Sequence, residues 1–190
     1  LTLHDFDNPS ANHILDTEIP HDNSDLLIIV GMLGGIEFYD ISTPEILNHL
    51  DNLTLSGGGG GGGGGGTKPN CIVASGDYAY VTTNRGLGVI NIANPSNPQY
   101  LGIVSGTDNY ILEDLDVNSN FLAVAAHEDG ILLFDISSPE NPELLSLIEG
   151  ENVWTVHFSN DYLYVGDQSS LNIYLVITDF FDAFLSVSNV

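Results

Sequence analysis

Three side chains stand at equivalent points of a recurring pattern and could between them do chemistry: His21, Asp116 and His157. They fall into one column when the chain is aligned on Ile29, Val81, Val124 and Val165; the fourth member of the column is Val73. Neutral imidazole and carboxylate together make a workable ligand set for zinc or a similar ion. The residues beside the column, Leu115, Val117, Val156 and Phe158, are apolar. That alternation is what a strand with one polar and one buried face requires. Val73 breaks the column, so the plainer reading of His21, Asp116 and His157 is polar lining of a solvated channel. No cofactor is predicted; calcium or zinc are the ions such groups would suit.

Other chemistry-bearing residues resolve into simpler roles. Asp114-Leu115-Asp116-Val117-Asn118 opens like a calcium loop, but Ser119 and Ala125 stand where an EF-hand needs Gly and Glu. His127-Glu128 begins like a zinc-protease helix without the second His. Gly57 to Gly66 leads into Thr67-Lys68-Pro69, the wrong order for a phosphate loop, and Pro69 blocks a following helix. Ten glycines read instead as a dispensable flexible tether reaching about 17 Å. Cys71, the single cysteine, reads as a small core residue, and Trp154 as a side chain packed near the hub of its repeat. Asp5, Asp40, Asn91 and Asp135 recur just before Pro-containing turns. They read as caps on backbone N–H groups of those turns rather than as a ring of cation ligands.

The elements that position these residues come from repetition. Gly76-Asp77-Tyr78-Ala79-Tyr80-Val81 matches Ser119-Asn120-Phe121-Leu122-Ala123-Val124 and Asn160-Asp161-Tyr162-Leu163-Tyr164-Val165, with a weaker match at Ser24 to Ile29. Each phrase is followed by a strand that runs to a turn: Ile36 to Pro44, Leu87 to Pro95 and Ile131 to Pro139. A unit therefore holds about four short strands in 40 to 44 residues, the arithmetic of a β-propeller blade. No segment carries a sustained helical period. The expected fold is all-β, a β-propeller or a partial propeller arc of four-stranded blades. The expected divisions are a half blade at 1–19, a blade at 20–50, a Gly-rich insertion at 51–69, blades at 70–105 and 111–149, and a degenerate blade at 152–188. Both ends read as cuts, so a fragment of a longer protein is expected.

The pairing of Gly76 to Val81 with Gly86 to Gly102, and the stretch Asp129 to Leu145, resembles the LVIVD repeat family. The resemblance spans about Leu1 to Leu175. It is sharp in the two central repeats and fades in the last, where Leu175 stands in the place of Asp135. It implies a β-propeller, an extracellular or cell-surface location, and no catalytic motif to carry over.

Charge narrows the partners. The 190 residues carry 26 acidic and 2 basic side chains, a formal charge of −24. Nucleic acid is excluded, because phosphates are bound by Lys and Arg and only Lys68 and Arg85 exist. No apolar run reaches membrane-span length. A carboxylate surface of this density keeps a protein dispersed, in high salt above all; calcium sites are the sharper alternative. The function expected is a non-enzymatic interaction or scaffold module that binds a protein or surface glycan through its loops. The competing expectation is a metal-assisted hydrolase or lyase with its site at a channel mouth.

Overall fold

Strand-forming β-branched and aromatic residues separated by Gly, Asn, Asp and Pro turns give sixteen strands among the described residues of a computed structural model of the chain. It describes residues 13–31, 35–43, 45–55 and 66–176, with the backbone of 187–189. Asp5, the glycine run up to residue 65, and the 177–186 part of the expected last blade lie outside the described residues. Every named sheet has four antiparallel strands in chain order, so each is a simple meander. The first comprises β1 (Ile14–Glu18), β2 (Leu26–Gly31), β3 (Gly35–Asp40) and β4 (Asn48–Leu53). The second comprises β5 (Pro69–Ser75), β6 (Tyr78–Thr83), β7 (Gly86–Asn91) and β8 (Gln99–Ile103). The third comprises β9 (Leu115–Asn118), β10 (Phe121–Ala125), β11 (Ile131–Asp135) and β12 (Glu143–Ile148). The fourth comprises β13 (Thr155–Ser159), β14 (Tyr162–Gly166), β15 (Leu171–Leu175) and β16 (Val187–Asn189). These are four-stranded blades of the β-propeller kind in an all-β chain.

The turns explain the hairpins. Gly76, Ser119 and Asn160 each take a positive φ, at 58°, 54° and 52°, as the first residue of a two-residue turn. Such turns match the twist of the strands they join. A recurrent bond then ties the exit of each third strand back to the first hairpin. Ile41, Ile92, Ile136 and Val176 donate their N–H to the carbonyls of Asp25, Asp77, Asn120 and Asp161. The first blade departs from the others in one respect: β1 and β2 are joined by residues 19–25 rather than by two residues. Its innermost strand therefore begins at Ile14, inside the segment read from sequence as a separate half blade.

The chain divides into two compact units, residues 1–103 and 104–190. In the first unit, Ile28, Val30, Ile36 and Phe38 pack with Ile72, Ala74, Val81 and Ile90 in one core. In the second, Ala123, Ala125, Ile131 and Leu133 pack with Val156, Phe158, Leu163 and Val165. Alternate residues of the central strands supply these cores, as a period of two demands. Burial of each large side chain contributes roughly 1.5–3 kcal/mol. Among the described residues no helix is long and apolar enough to cross a membrane.

Candidate functional site

Strand register fixes which side chains share the innermost column. Val73 pairs with Tyr80, Asp116 with Ala123 and His157 with Tyr164, the residues one before Val81, Val124 and Val165. The residue one before Ile29 is Ile28, and its partner is Glu18. Glu18 rather than His21 is thus the residue of the first blade at the equivalent register position. His21 is exposed in the β1–β2 connection. Equal-length counting misplaced it because that connection is longer than the two-residue turns of the other blades. His21 and the pair Asp116 and His157 belong to different units.

Asp116 and His157 are brought together: Nδ1 of His157 lies 2.9 Å from Oδ2 of Asp116. The same oxygen accepts the backbone N–H of Phe158 at 2.7 Å. Two residues earlier, Oδ2 of Asp114 accepts the N–H of Val156 at 3.1 Å and the hydroxyl of Thr155 at 2.7 Å. Two residues later, the side-chain amide of Asn118 donates to the carbonyl of Asn160. Alternate residues of the polar stripe from Asp114 to Asn118 thus reach across to alternate residues of the next blade's innermost strand and its turn. The first unit repeats the device. Oδ2 of Asp16 accepts the N–H of Ile72 at 2.9 Å, and Oε1 of Glu18 accepts that of Ala74 at 3.1 Å. These N–H groups lie on the strand edge that faces no partner strand within its own sheet. A part-buried N–H left unpaired costs free energy, and a carboxylate acceptor makes a stronger bond than a neutral one.

This arrangement decides what the column can do. Oδ2 of Asp116 already holds two donors, so a metal ion would have to displace the clasp between blades. Among the described residues, no three His, Cys, Asp or Glu side chains form a group able to hold an ion. Cys71 is half-buried rather than in the core, and its N–H donates to Oγ1 of Thr82 at 3.0 Å.

A second cluster lies at one end of the fourth blade. Trp154 is 48% exposed, not packed at the hub as its apolar character suggested. It precedes β13, and Val153 takes the buried place beside it. The backbone N–H of Trp154 bonds the carbonyl of Gly166 at 2.9 Å, and that of Val153 bonds the carbonyl of His127 at 2.9 Å. The His127 ring and the indole form a T-shaped pair, their planes at 80° and centroids 4.7 Å apart. Asn152, at φ 55°, donates its side-chain amide to Oε1 of Gln168 at 3.3 Å. Nearby, Asp167 accepts the N–H of Ser169 and of Ser170, the hydroxyl of Ser170 and the amide of Asn172. These donors, the Ser170 hydroxyl first, hold the Asp167 carboxyl down at about 2.

The model of the LVIVD repeat matches residues 68–105, 112–148 and 150–180, just over half of the chain. The chain belongs to the LVIVD repeat family. Its likeness to solved structures is at the level of fold. It superposes on the β-propeller domain of Cps50 (Swd1) from Myceliophteria thermophila with a TM-score of 0.61 at 9% identity, covering 92% of this chain and 57% of that one. A functionally unknown protein from Desulfotomaculum acetoxidans DSM 771 gives 0.70 at 15%, covering 93% and 55%. The computationally designed Ika4 protein gives 0.64 at 15%, covering 90% and 95%. The chain thus spans little more than half the length of the two natural structures. No curated protein matches it in sequence.

In the first three blades the recurring Asp or Asn before the Pro-containing turn is a turn cap. Oδ1 of Asp40, Asn91 and Asp135 accepts the N–H two residues on, from Ser42, Ala93 and Ser137, at 2.8, 3.0 and 2.7 Å. The Ser42 contacts hold the Asp40 carboxyl below its ordinary value. Column counting named Asp116 and His157 but missed Asp16, Glu18 and Asp114. Their signal was an acid-x-acid spacing in or at the start of the first strand of alternate blades, Asp16-Thr17-Glu18 and Asp114-Leu115-Asp116.

Proposed function

We propose that this chain is a non-enzymatic interaction and scaffold module of a secreted or cell-surface protein, presenting its loops to a protein or glycan partner. One observation carries the reading. The carboxylates best placed to act as ligands or as an acid–base pair, Asp16, Glu18, Asp114 and Asp116, are engaged by backbone N–H groups of the neighbouring blade. A general base or metal ligand needs its lone pairs available to substrate or ion, whereas these hold blades together. Membership of a repeat family and a propeller-type fold accord with a rigid frame that carries variable loops.

The test is turnover. The purified chain, supplied with zinc or calcium, is assayed against ester, phosphoester, glycoside and polyuronate substrates. No turnover above the metal blank is expected. Turnover that vanishes in Asp116→Asn would overturn the reading in favour of a metal-assisted hydrolase or lyase.

A further inference from the structure

Trp154 offers half of its surface to solvent on a frame drawn from three chain segments. His127 comes from the loop after β10, Asn152 and Trp154 precede β13, and Gly166 and Gln168 surround the end of β14. Backbone bonds from Val153 to His127 and from Trp154 to Gly166 fix the segments, and the imidazole buttresses the indole in a T-shaped contact. An aromatic side chain so held loses little freedom when it binds. Nδ1 of His127 is buried without a partner among the described residues.

The polar side chains on the segments that hold Trp154 narrow the ligand. The Asn152–Gln168 bond uses one donor and one acceptor. Among the described residues, Oδ1 of Asn152 and Nε2 of Gln168 have no other partner, which leaves a carbonyl acceptor on one amide and an NH2 donor on the next, besides the second N–H of Asn152 and the second lone pair of the Gln168 oxygen. Neighbouring sugar hydroxyls present that complementary pair, and the axial C–H face of a pyranose provides an apolar plane for an indole. Asp167, the carboxylate in this same loop, is engaged by five donors from Ser169, Ser170 and Asn172 and does not offer itself to a cationic group. The formal charge of −24 repels anionic sugars.

We infer that Trp154, Asn152 and Gln168 form a binding site for a neutral sugar ring, with the indole as stacking plane and the two amides reading adjacent hydroxyls. This rests on the interaction-module reading and names its ligand class. Trp154 is the only tryptophan, so its emission reports on this site alone. The full chain is titrated with cellohexaose, chitohexaose, mannohexaose and maltohexaose, up to about 10 mM, where even weak complexes fill. At least one is expected to change the emission saturably, while hexagalacturonate does not. By calorimetry, Trp154→Ala abolishes that binding. Asn152→Ala and Gln168→Ala each weaken it about five- to tenfold, with Gln168→Ala leaving the melting temperature unchanged and Asn152→Ala, at φ 55°, lowering it by no more than a few degrees. The proposal is overturned if no neutral hexaose binds, if binding ignores all three substitutions, or if tetramethylammonium alone shifts the emission, which would mark a cation site instead. Cleavage of a bound hexaose would defeat the non-enzymatic reading while leaving the sugar site in place. Failure of all the hexaoses without turnover would defeat only the sugar site.

Discussion

The carboxylate of Asp116 accepts the backbone N–H of Phe158, 42 residues further along the chain, at 2.7 Å. The His157 imidazole touches the same oxygen from a side chain that is 75% exposed, whereas Asp116 is only 20% exposed. The two contacts have unequal consequences. An exposed ion pair contributes roughly 0–1 kcal/mol, while stranding a part-buried N–H costs about 1–3 kcal/mol. Asp116→Ala is therefore expected to lower unfolding free energy by about 1–3 kcal/mol and His157→Ala by less than about 1 kcal/mol. Urea melts of both variants check this, and equal losses would mean the ion pair is the dominant contact.

Gly130 is expected to tolerate no side chain. Its φ is +96°, and an added Cβ would lie 2.1 Å from the carbonyl oxygen of Ile148 and 2.6 Å from the nitrogen of Gly150. Gly35 begins β3 in the same way, at φ +85° with the carbonyl of Leu53 2.5 Å from the Cβ position. Gly130→Ala should destabilise by roughly 2–3 kcal/mol or more, since both backbone strain and backbone contact oppose it. Gly106→Ala is the control. It shares a positive φ of 83° but has open space around it, so it should lose distinctly less in the same thermal melts.

The Asp167 loop sets an acid limit. Its carboxyl is held at about 2 instead of 3.8. A depressed carboxylate contributes stability that is complete above its unfolded value, here near pH 4. That contribution drains away as pH falls through the folded value near 2. Carboxyl carbon NMR should give an Asp167 midpoint close to 2, and Ser170→Ala should raise it. A midpoint near 3.8 in the parent chain would show that the serine donors do not hold the anion.

Charge repulsion should make the fold salt-dependent. A formal charge of −24 opposed by only two basic side chains leaves net self-repulsion in the compact state, which monovalent ions screen. The melting temperature should rise from low salt to about 1 M sodium chloride. A flat profile would show that repulsion is unimportant. A jump at low millimolar calcium, absent with sodium at matched ionic strength, would point to specific calcium sites.

Much of the blade pattern was legible because hairpin turns, alternation and the Asp/Asn turn caps are all local. Gly76-Asp77, Ser119-Asn120 and Asn160-Asp161 announce their turns within two residues, and Asp135 bonds Ser137 only two positions away. His21 was misplaced because a repeat count assumes equal connections, and the β1–β2 link breaks that assumption. The clasps were illegible for a different reason. Nothing local to Asp114 or Asp16 says that its acceptor will be used by Val156 or Ile72, since that depends on which strand edges the blades bring side by side. Trp154 was read by hydrophobicity, but its position just ahead of β13, with Val153 in the buried place, decides its exposure.

Amide hydrogen exchange at Val156 and Phe158 tests the central claim most directly, because it watches the N–H groups that the carboxylates are said to hold. The account predicts slow exchange at both in the parent chain. In Asp116→Ala, Phe158 should exchange much faster while Leu163 and Val165 in β14 stay protected; in Asp114→Ala, Val156 should do so. Unchanged protection of Phe158 in Asp116→Ala would contradict the clasp and return the carboxylate to the list of groups available for chemistry.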